Sequence, residues 1–353
     1  MKKNFNIESL VTNSAMFLNE KKDRLILFYG QSTFEKNRDP NKNQVFVSNY
    51  GLSKRKPFLS FEKVTSCHVQ DFVSFLKKEK KSRPHFNFKE KGYLKYKRFF
   101  NSVMTLIHNK TLTKAVPYTY LESKKKPLTP DEKIYLLSAC LNHSLHAKSF
   151  FYAYFSFKKV LIGSSPEIFL LQKRKLFTTD AIAGTLKNTS VNRKRILDDK
   201  KLKQEQNLVI NSIKKSLCHL GELRVSKKEL LELKSLIHIK NKISFKSHSD
   251  DLKIKDLISR LHPTAALGTL PKDMWRQVED MNPYSMKRQS FGSPIGFFYK
   301  KTTFLIVAIR ALECFDNKAY LFAGGGVISL SKVESEWHEL KLKLNAIKLT
   351  LGL

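Results

Sequence analysis

The chain is short of acid. Against 65 Lys and Arg it carries only 31 Asp and Glu, leaving a formal net charge of +34. It is short of thiols as well: Cys67, Cys140, Cys218 and Cys314 stand singly, with no CxxC pair and no histidine spaced to close a zinc site. A disulfide scaffold and a zinc fold are therefore excluded, and a reducing compartment is expected. No apolar run approaches the length that spans a bilayer. The opening stretch MKKNFNIESLVTNSAMFLNE has the basic start of a signal peptide, but Asn, Glu and Ser interrupt every apolar stretch before an h-region can form. The expected location is the cytoplasm. Internal repeats and low-complexity linkers are also missing, so the 353 residues read as one domain.

What is present is enough to build a large core: 41% of residues are hydrophobic and 11% aromatic. The positive charge first suggests nucleic acid or an anionic membrane. Its pattern argues otherwise. Basic residues fall in short clusters such as Lys21-Lys22, Lys77 to Lys81, Lys124 to Lys126 and Lys200-Lys201, separated by apolar residues. No RNP-like sequence, zinc finger or basic region with heptads accompanies them. Most of the charge reads as solvated surface, with no specific nucleic-acid or membrane partner.

Along residues 1 to about 95, short apolar runs (Leu25 to Tyr29, Val45 to Val47, Phe72 to Leu76) alternate with polar turns, which reads as strands with a helix or two. Helical spacing follows over about 97–110, then a strand from Lys114 to Leu121 and a helix opened by Asp131. Residues 150–186 read as three antiparallel strands joined by short links. A basic helix is expected from about Arg193 to Leu217, another near Lys272 to Met281, and three strands over about 292–329. The last element is a helix capped at Ser331 or just after it. The fold class is α+β.

The last helix carries the most informative pattern. Glu336, Glu339 and Lys343 are spaced i, i+3 and i+7, which lines three charged heads along one face. Just upstream, Gly324-Gly325-Gly326 follows an apolar strand, and such glycines let backbone N–H groups approach an anion.

Four separated stretches, GSSPEIFLL with AIAGT, HPTAALGTLPK, AIRALE and AGGGVISLSKVESEWHELKLK, carry a resemblance. Their order, spacing and residue types resemble the chorismate-binding enzymes, which include isochorismate, salicylate, anthranilate and aminodeoxychorismate synthases. The resemblance covers about 95–353 and makes residues 1–95 a divergent N-terminal part of the same fold. It implies an anthranilate synthase component I-like architecture, with large antiparallel sheets forming a core flanked by helices.

Carried over position by position, the resemblance assigns Glu205 and Glu339 to a Mg²⁺ that holds the ring carboxylate of chorismate, with Glu336 as a water-mediated partner. Arg310 would grip the enolpyruvyl carboxylate, helped by the amides of Gly325 and Gly326, and Lys343 would face the same carboxylates. His262 and Thr264 resemble the motif along the ring side of the pocket, and Gly184 and Thr185 belong to its AIAGT wall.

Two positions distinguish the reactions. Lys114, in IHNKTLTKAVPYT, aligns with the base position, where isochorismate and salicylate synthases have lysine and the aminating members usually have glutamine. Ala183 stands where aminodeoxychorismate synthases commonly have a nucleophilic lysine, and alanine removes that covalent route. Glu167 matches the general acid. The implied reaction is isochorismate synthesis: Lys114 activates water to attack C2 while Glu167 assists loss of the C4 hydroxyl. The product would serve menaquinone or siderophore synthesis, with no obligate glutaminase partner.

Departures exist. Gln206 replaces a histidine, Thr119 an arginine, and Phe291 a tyrosine whose hydroxyl would contact a substrate carboxylate. The rival expectations are a salicylate synthase and a diverged, non-catalytic member of the fold that binds an anion or nucleic acid.

Overall fold

A computed structural model describes residues 5–248 and 252–353. Among these, seventeen strands form one antiparallel ladder. At one end, Gly221–Val225 and Glu229–Glu232 both pair with Leu236–Ser247. The ladder continues through Leu176–Lys187, Ile168–Lys173, Thr302–Val307, Pro294–Tyr299 and Gln44–Val47. It then passes through Phe58–His68, Arg24–Glu35, Ser14–Leu18 and Phe150–Ser156. Lys159–Ser165, Ala311–Phe315, Lys318–Gly324, Tyr118–Lys124 and Lys89–Glu90 complete it. The mixed helices and large antiparallel sheet are the α+β architecture that the sequence implied.

Side-chain alternation sorts the middle strands into two cores. In Ser14–Leu18 every residue is buried. Ala15 and Phe17 join Ile26, Phe28, Val45 and Phe297 in a core between strands, whereas Met16 and Leu18 face the larger core shared with helices. A strand buried on both sides reads as a continuous apolar run, which is why SAMFL and RLILFY lack polar alternation. The main helices on the outer layer are Tyr93–His108, Pro130–His146, Lys200–Leu217 and Val333–Leu351. Among the described residues no helix is long and apolar enough to cross a membrane.

Local chemistry explains most boundaries. Thr129 and Glu132 form a reciprocal capping box, and Pro130 occupies the first helical turn. The single basic helix expected over 193–217 is two helices, Ser190–Arg195 and Lys200–Leu217, because the Asp199 side chain accepts from the Leu202 N–H (2.9 Å) and starts a new helix. Pro166 divides the middle of the 150–186 stretch, giving four strands instead of three. Residues 292–329 likewise hold four. The last helix is capped at Lys332, while the Ser331 hydroxyl accepts from Ile328 N–H (3.2 Å).

The strand expected from Lys114 begins only at Tyr118. Pro117 has no N–H to continue a ladder. Lys114 and Ala115 make single bridges instead, to Leu270 and Val327, which clamp the segment between two distant parts of the chain.

Candidate active site

One cavity gathers most of the expected site. Glu167, Ala183, Gly184, Thr185, Glu205, Phe291, Arg310, Gly326, Glu339 and Lys343 all line it, brought from strands, loops and two helices. Lys114 lies behind that lining, fully buried, with its Nζ 3.1 Å from Glu205 Oε1.

Glu167 sits just past Pro166, where its strand ends. Its N–H donates to Ser165 Oγ (3.3 Å), and its carbonyl accepts from Val307 N–H (3.1 Å), so the backbone is held from both sides. Burial pushes its carboxyl up to about 8, and Asp180 adds to the rise against the opposing pull of Lys114, Lys240 and Lys343. At neutral pH Glu167 therefore carries a proton that it can donate.

The cationic side is built around Arg310, whose backbone lies in the left-handed region (φ 56°). Gly163 makes room for this turn, since a Cβ there would meet the Arg310 carbonyl at 2.7 Å. The Arg310 guanidinium donates to His238 Nε2 (3.3 Å), while His238 Nδ1 lies 3.1 Å from Thr185 Oγ1. Burial and then the Arg310 charge keep His238 well below its usual range, so the ring is neutral and can accept from the guanidinium. Burial lowers Arg310 only to about 10, and it stays charged. Lys343 Nζ binds Glu339 Oε1 (2.6 Å) and the Gly324 carbonyl (2.8 Å).

Three carboxylates approach the Gly325–Gly326 backbone. A Cβ on Gly326 would fall 1.9 Å from Glu205 Oε1 and 3.0 Å from Lys114 Cε; on Gly325 it would fall 3.3 Å from Glu336 Oε2 and 4.0 Å from Glu339 Oε1. Glycine is thus required for these charges to pack against the chain. Gly326→Ala is expected to lower turnover about tenfold or more and to lower the melting temperature by a few degrees, because the buried Glu205 and Lys114 have to shift together. Steady-state rates beside a thermal melt check it.

Each carboxylate has a lysine partner: Glu205 has Lys114, Glu336 has Lys201 and Glu339 has Lys343. Burial pushes Glu205 up, but Lys114 and Lys201 outweigh it and hold the carboxyl below the usual range. Burial and then the neighbouring Glu339 charge push Glu336 up to about 7. Among the described residues no three His, Cys, Asp or Glu side chains stand grouped at metal-holding spacing. The donors are nonetheless all hard oxygens, and the buried Glu336 Oε2 has no hydrogen-bond partner. That chemistry fits Mg²⁺, which takes one or two carboxylates and fills its remaining positions with water or substrate oxygen.

Three expected site groups are placed differently. His262 does not line the cavity: it is buried against the Tyr50 ring, its Nε2 faces the Tyr50 carbonyl, and burial pushes its pKa down to about 3. Thr264 is also buried away from the cavity, its carbonyl accepting from Leu267 and Gly268 N–H; Ala266 and Leu267 supply that wall instead. Gly325 spends its N–H on the Pro117 carbonyl (3.2 Å), which leaves Gly326 as the amide able to help Arg310. Glu336, expected to act only through water, lies behind the lining against Lys201, as that expectation requires.

Two contributors were not singled out from the sequence. His238 arrives on Leu236–Ser247, whose alternation in LIHIKNKISF was there to be read. Arg288 is buried, donates to the Leu267 carbonyl (2.6 Å) and the Val116 carbonyl, and pairs with Glu279 (3.2 Å), tying two walls together. Gln206, in place of the expected histidine, donates to the Ala181 carbonyl (2.9 Å) and so steadies the strand that presents Ala183.

The family model described as "Chorismate binding enzyme" matches residues 33–352. The chain belongs to the chorismate-binding enzymes. Among family members, it is 27% identical over 209 residues to the isochorismate synthase MenF of Escherichia coli, covering 57% of this chain and 48% of MenF. It is 29% identical over 204 residues to the isochorismate synthase EntC of E. coli, covering 55% of this chain and 51% of EntC. The chain thus spans about half the length of these curated relatives. The solved structure of E. coli MenF superposes with a TM-score of 0.79 at 17% identity, covering 99% of this chain and 92% of that one. Anthranilate synthase component I from Streptococcus pneumoniae gives 0.72 at 15% identity, covering 96% and 91%. At such identities the chorismate-binding fold is what the two structures share with this chain.

Proposed function

We propose that this chorismate-binding enzyme is an isochorismate synthase that works with Mg²⁺. The observation that carries the reading is the pairing of a protonated acid with a lysine at one cavity. Glu167 faces the cavity with its carboxyl lifted to about 8, and Lys114 stands behind Glu205 and Gly326. Ala183 lines the same wall without any nucleophilic group. Water is then the nucleophile that remains.

Chorismate is a dianion, and the cavity offers Arg310 and Lys343 for its two carboxylates; the planar guanidinium fork suits one of them. Mg²⁺ held by Glu205 and Glu339, with Glu336 behind them, would supply the positive charge that anchors the ring carboxylate. Lys114 serves as the base that takes a proton from water as the new C2–O bond forms. The ring π electrons shift, the C4–O bond breaks, and Glu167 gives its proton to the departing hydroxyl. One water enters and one leaves, so the reaction is reversible. The product is one that menaquinone or siderophore synthesis consumes.

Incubation with chorismate and Mg²⁺, followed by chromatography, tests the assignment. Isochorismate is the expected product. Salicylate with pyruvate, or anthranilate on addition of ammonia, would sink it.

A further inference from the structure

We propose that Asp180, paired with Lys240, is a positioning residue for the acid: it anchors the turn that presents Glu167 and supplies the negative charge beside it. The inference rests on the reading of Glu167 as general acid.

Asp180 lies on Leu176–Lys187, three residues before Ala183, and its side chain is fully buried. Oδ2 accepts two hydrogen bonds, one from the Ile168 N–H (3.0 Å) and one from Lys240 Nζ (2.8 Å). Ile168 follows Glu167 directly, so Asp180 fixes the backbone on one side of the acid while Ser165 Oγ and Val307 fix the other. Oδ1 has no hydrogen-bond partner.

That bare oxygen is the informative part. Leaving half of a buried carboxylate unsatisfied is costly. An asparagine would offer Ile168 the same acceptor without burying a charge, so hydrogen bonding alone does not account for an aspartate. The charge has a use beside Glu167. Facing that carboxyl are Asp180 from its own strand, Lys240 from Leu236–Ser247, Lys114 from the segment before Tyr118, and Lys343 from the last helix. Three ammonium groups draw the proton off Glu167, and among these four neighbours Asp180 is the one that opposes them. Burial pushes the Asp180 carboxyl up and Lys240 opposes that rise, so Lys240 favours its charged form, holds it in place and tempers its field.

The test is the pH dependence of kcat and KM for chorismate in the wild-type enzyme, Asp180→Asn and Lys240→Met. The alkaline limb of kcat should move to lower pH in Asp180→Asn, by about one unit, and by less in the same direction in Lys240→Met, where Asp180 without its partner takes up a proton and loss of the Lys240 charge offsets part of the shift. KM measured at pH 6 should stay within about twofold, since neither residue lines the cavity. A merely structural role would lower kcat at every pH and leave the limb where it is. An unmoved limb in a folded Asp180→Asn, or a limb that moves to higher pH in either variant, overturns the proposal. Should Asp180→Asn fail to fold, the direction of the shift in Lys240→Met decides. A wild-type enzyme that does not convert chorismate overturns the isochorismate reading itself, a separate and recognisable failure.

Discussion

Lys114→Ala should lower the conversion of chorismate about 10²- to 10⁴-fold, the range expected when a general base is removed. The loss has two sources that can be told apart. Alanine takes away the group that accepts the proton from water, and it strands the Glu205 carboxylate, which lies 3.1 Å away in a buried pair. Breaking such a pair from one side typically costs about 3–5 kcal/mol of stability. A fall in melting temperature should therefore accompany the fall in rate. Lys114→Met, which keeps the apolar stem, separates packing from charge, and a small primary amine added to Lys114→Ala should restore part of the rate but not the stability. Full activity in a folded Lys114→Ala enzyme would remove water activation by this lysine from the mechanism.

Glu167→Gln should cost a comparable factor with a different signature. Glutamine keeps the shape and the hydrogen-bonding capacity but has no acidic proton to give the C4 hydroxyl. The wild-type carboxyl lies near 8 because of burial and then Asp180. It is protonated and competent below that value and ionised above it, so kcat/KM should decline as pH rises through about 8. In Glu167→Gln the residual activity should be flat across the same window. A variant that retained the alkaline decline would show that another group is responsible for it. Little change in stability is expected at pH 7, because the buried group is neutral in both proteins.

Much of this was legible in the sequence where the signal is local. The helix expected to open at Asp131 starts at Pro130, one residue earlier, because Thr129 and Glu132 cap it through chemistry confined to one turn. Glu339 and Lys343 are one helical turn apart, and the structure pairs them at 2.6 Å. Legibility fails where a residue's role is set by partners far along the chain. Lys114 is held by Leu270 and Ala115 by Val327, so the segment reads as a strand although Pro117 stops one from forming. His262 carries a motif position, yet Tyr50, more than two hundred residues away, makes it a core histidine. The Gly325 amide looks available until Pro117 is seen to occupy it. Leu236–Ser247 escaped notice because Lys240, Lys242 and Lys246 make an alternating strand look like charged surface.

The strand ladder also bears on how the molecule reaches its active form. Val47 pairs with Ile295, Ala15 with Tyr154, and Thr119 with Ala323, so neighbours in space are separated by long stretches of sequence. Each such closure is entropically unfavourable until the contacts beyond it form. Refolding from denaturant should accordingly be slow, with early helical signal from Pro130–His146 and Val333–Leu351. Because the cavity draws on residues from Pro166 to Lys343, catalytic activity should return only with the last cooperative phase. Regained turnover would then report the closed ladder more stringently than recovered secondary structure does.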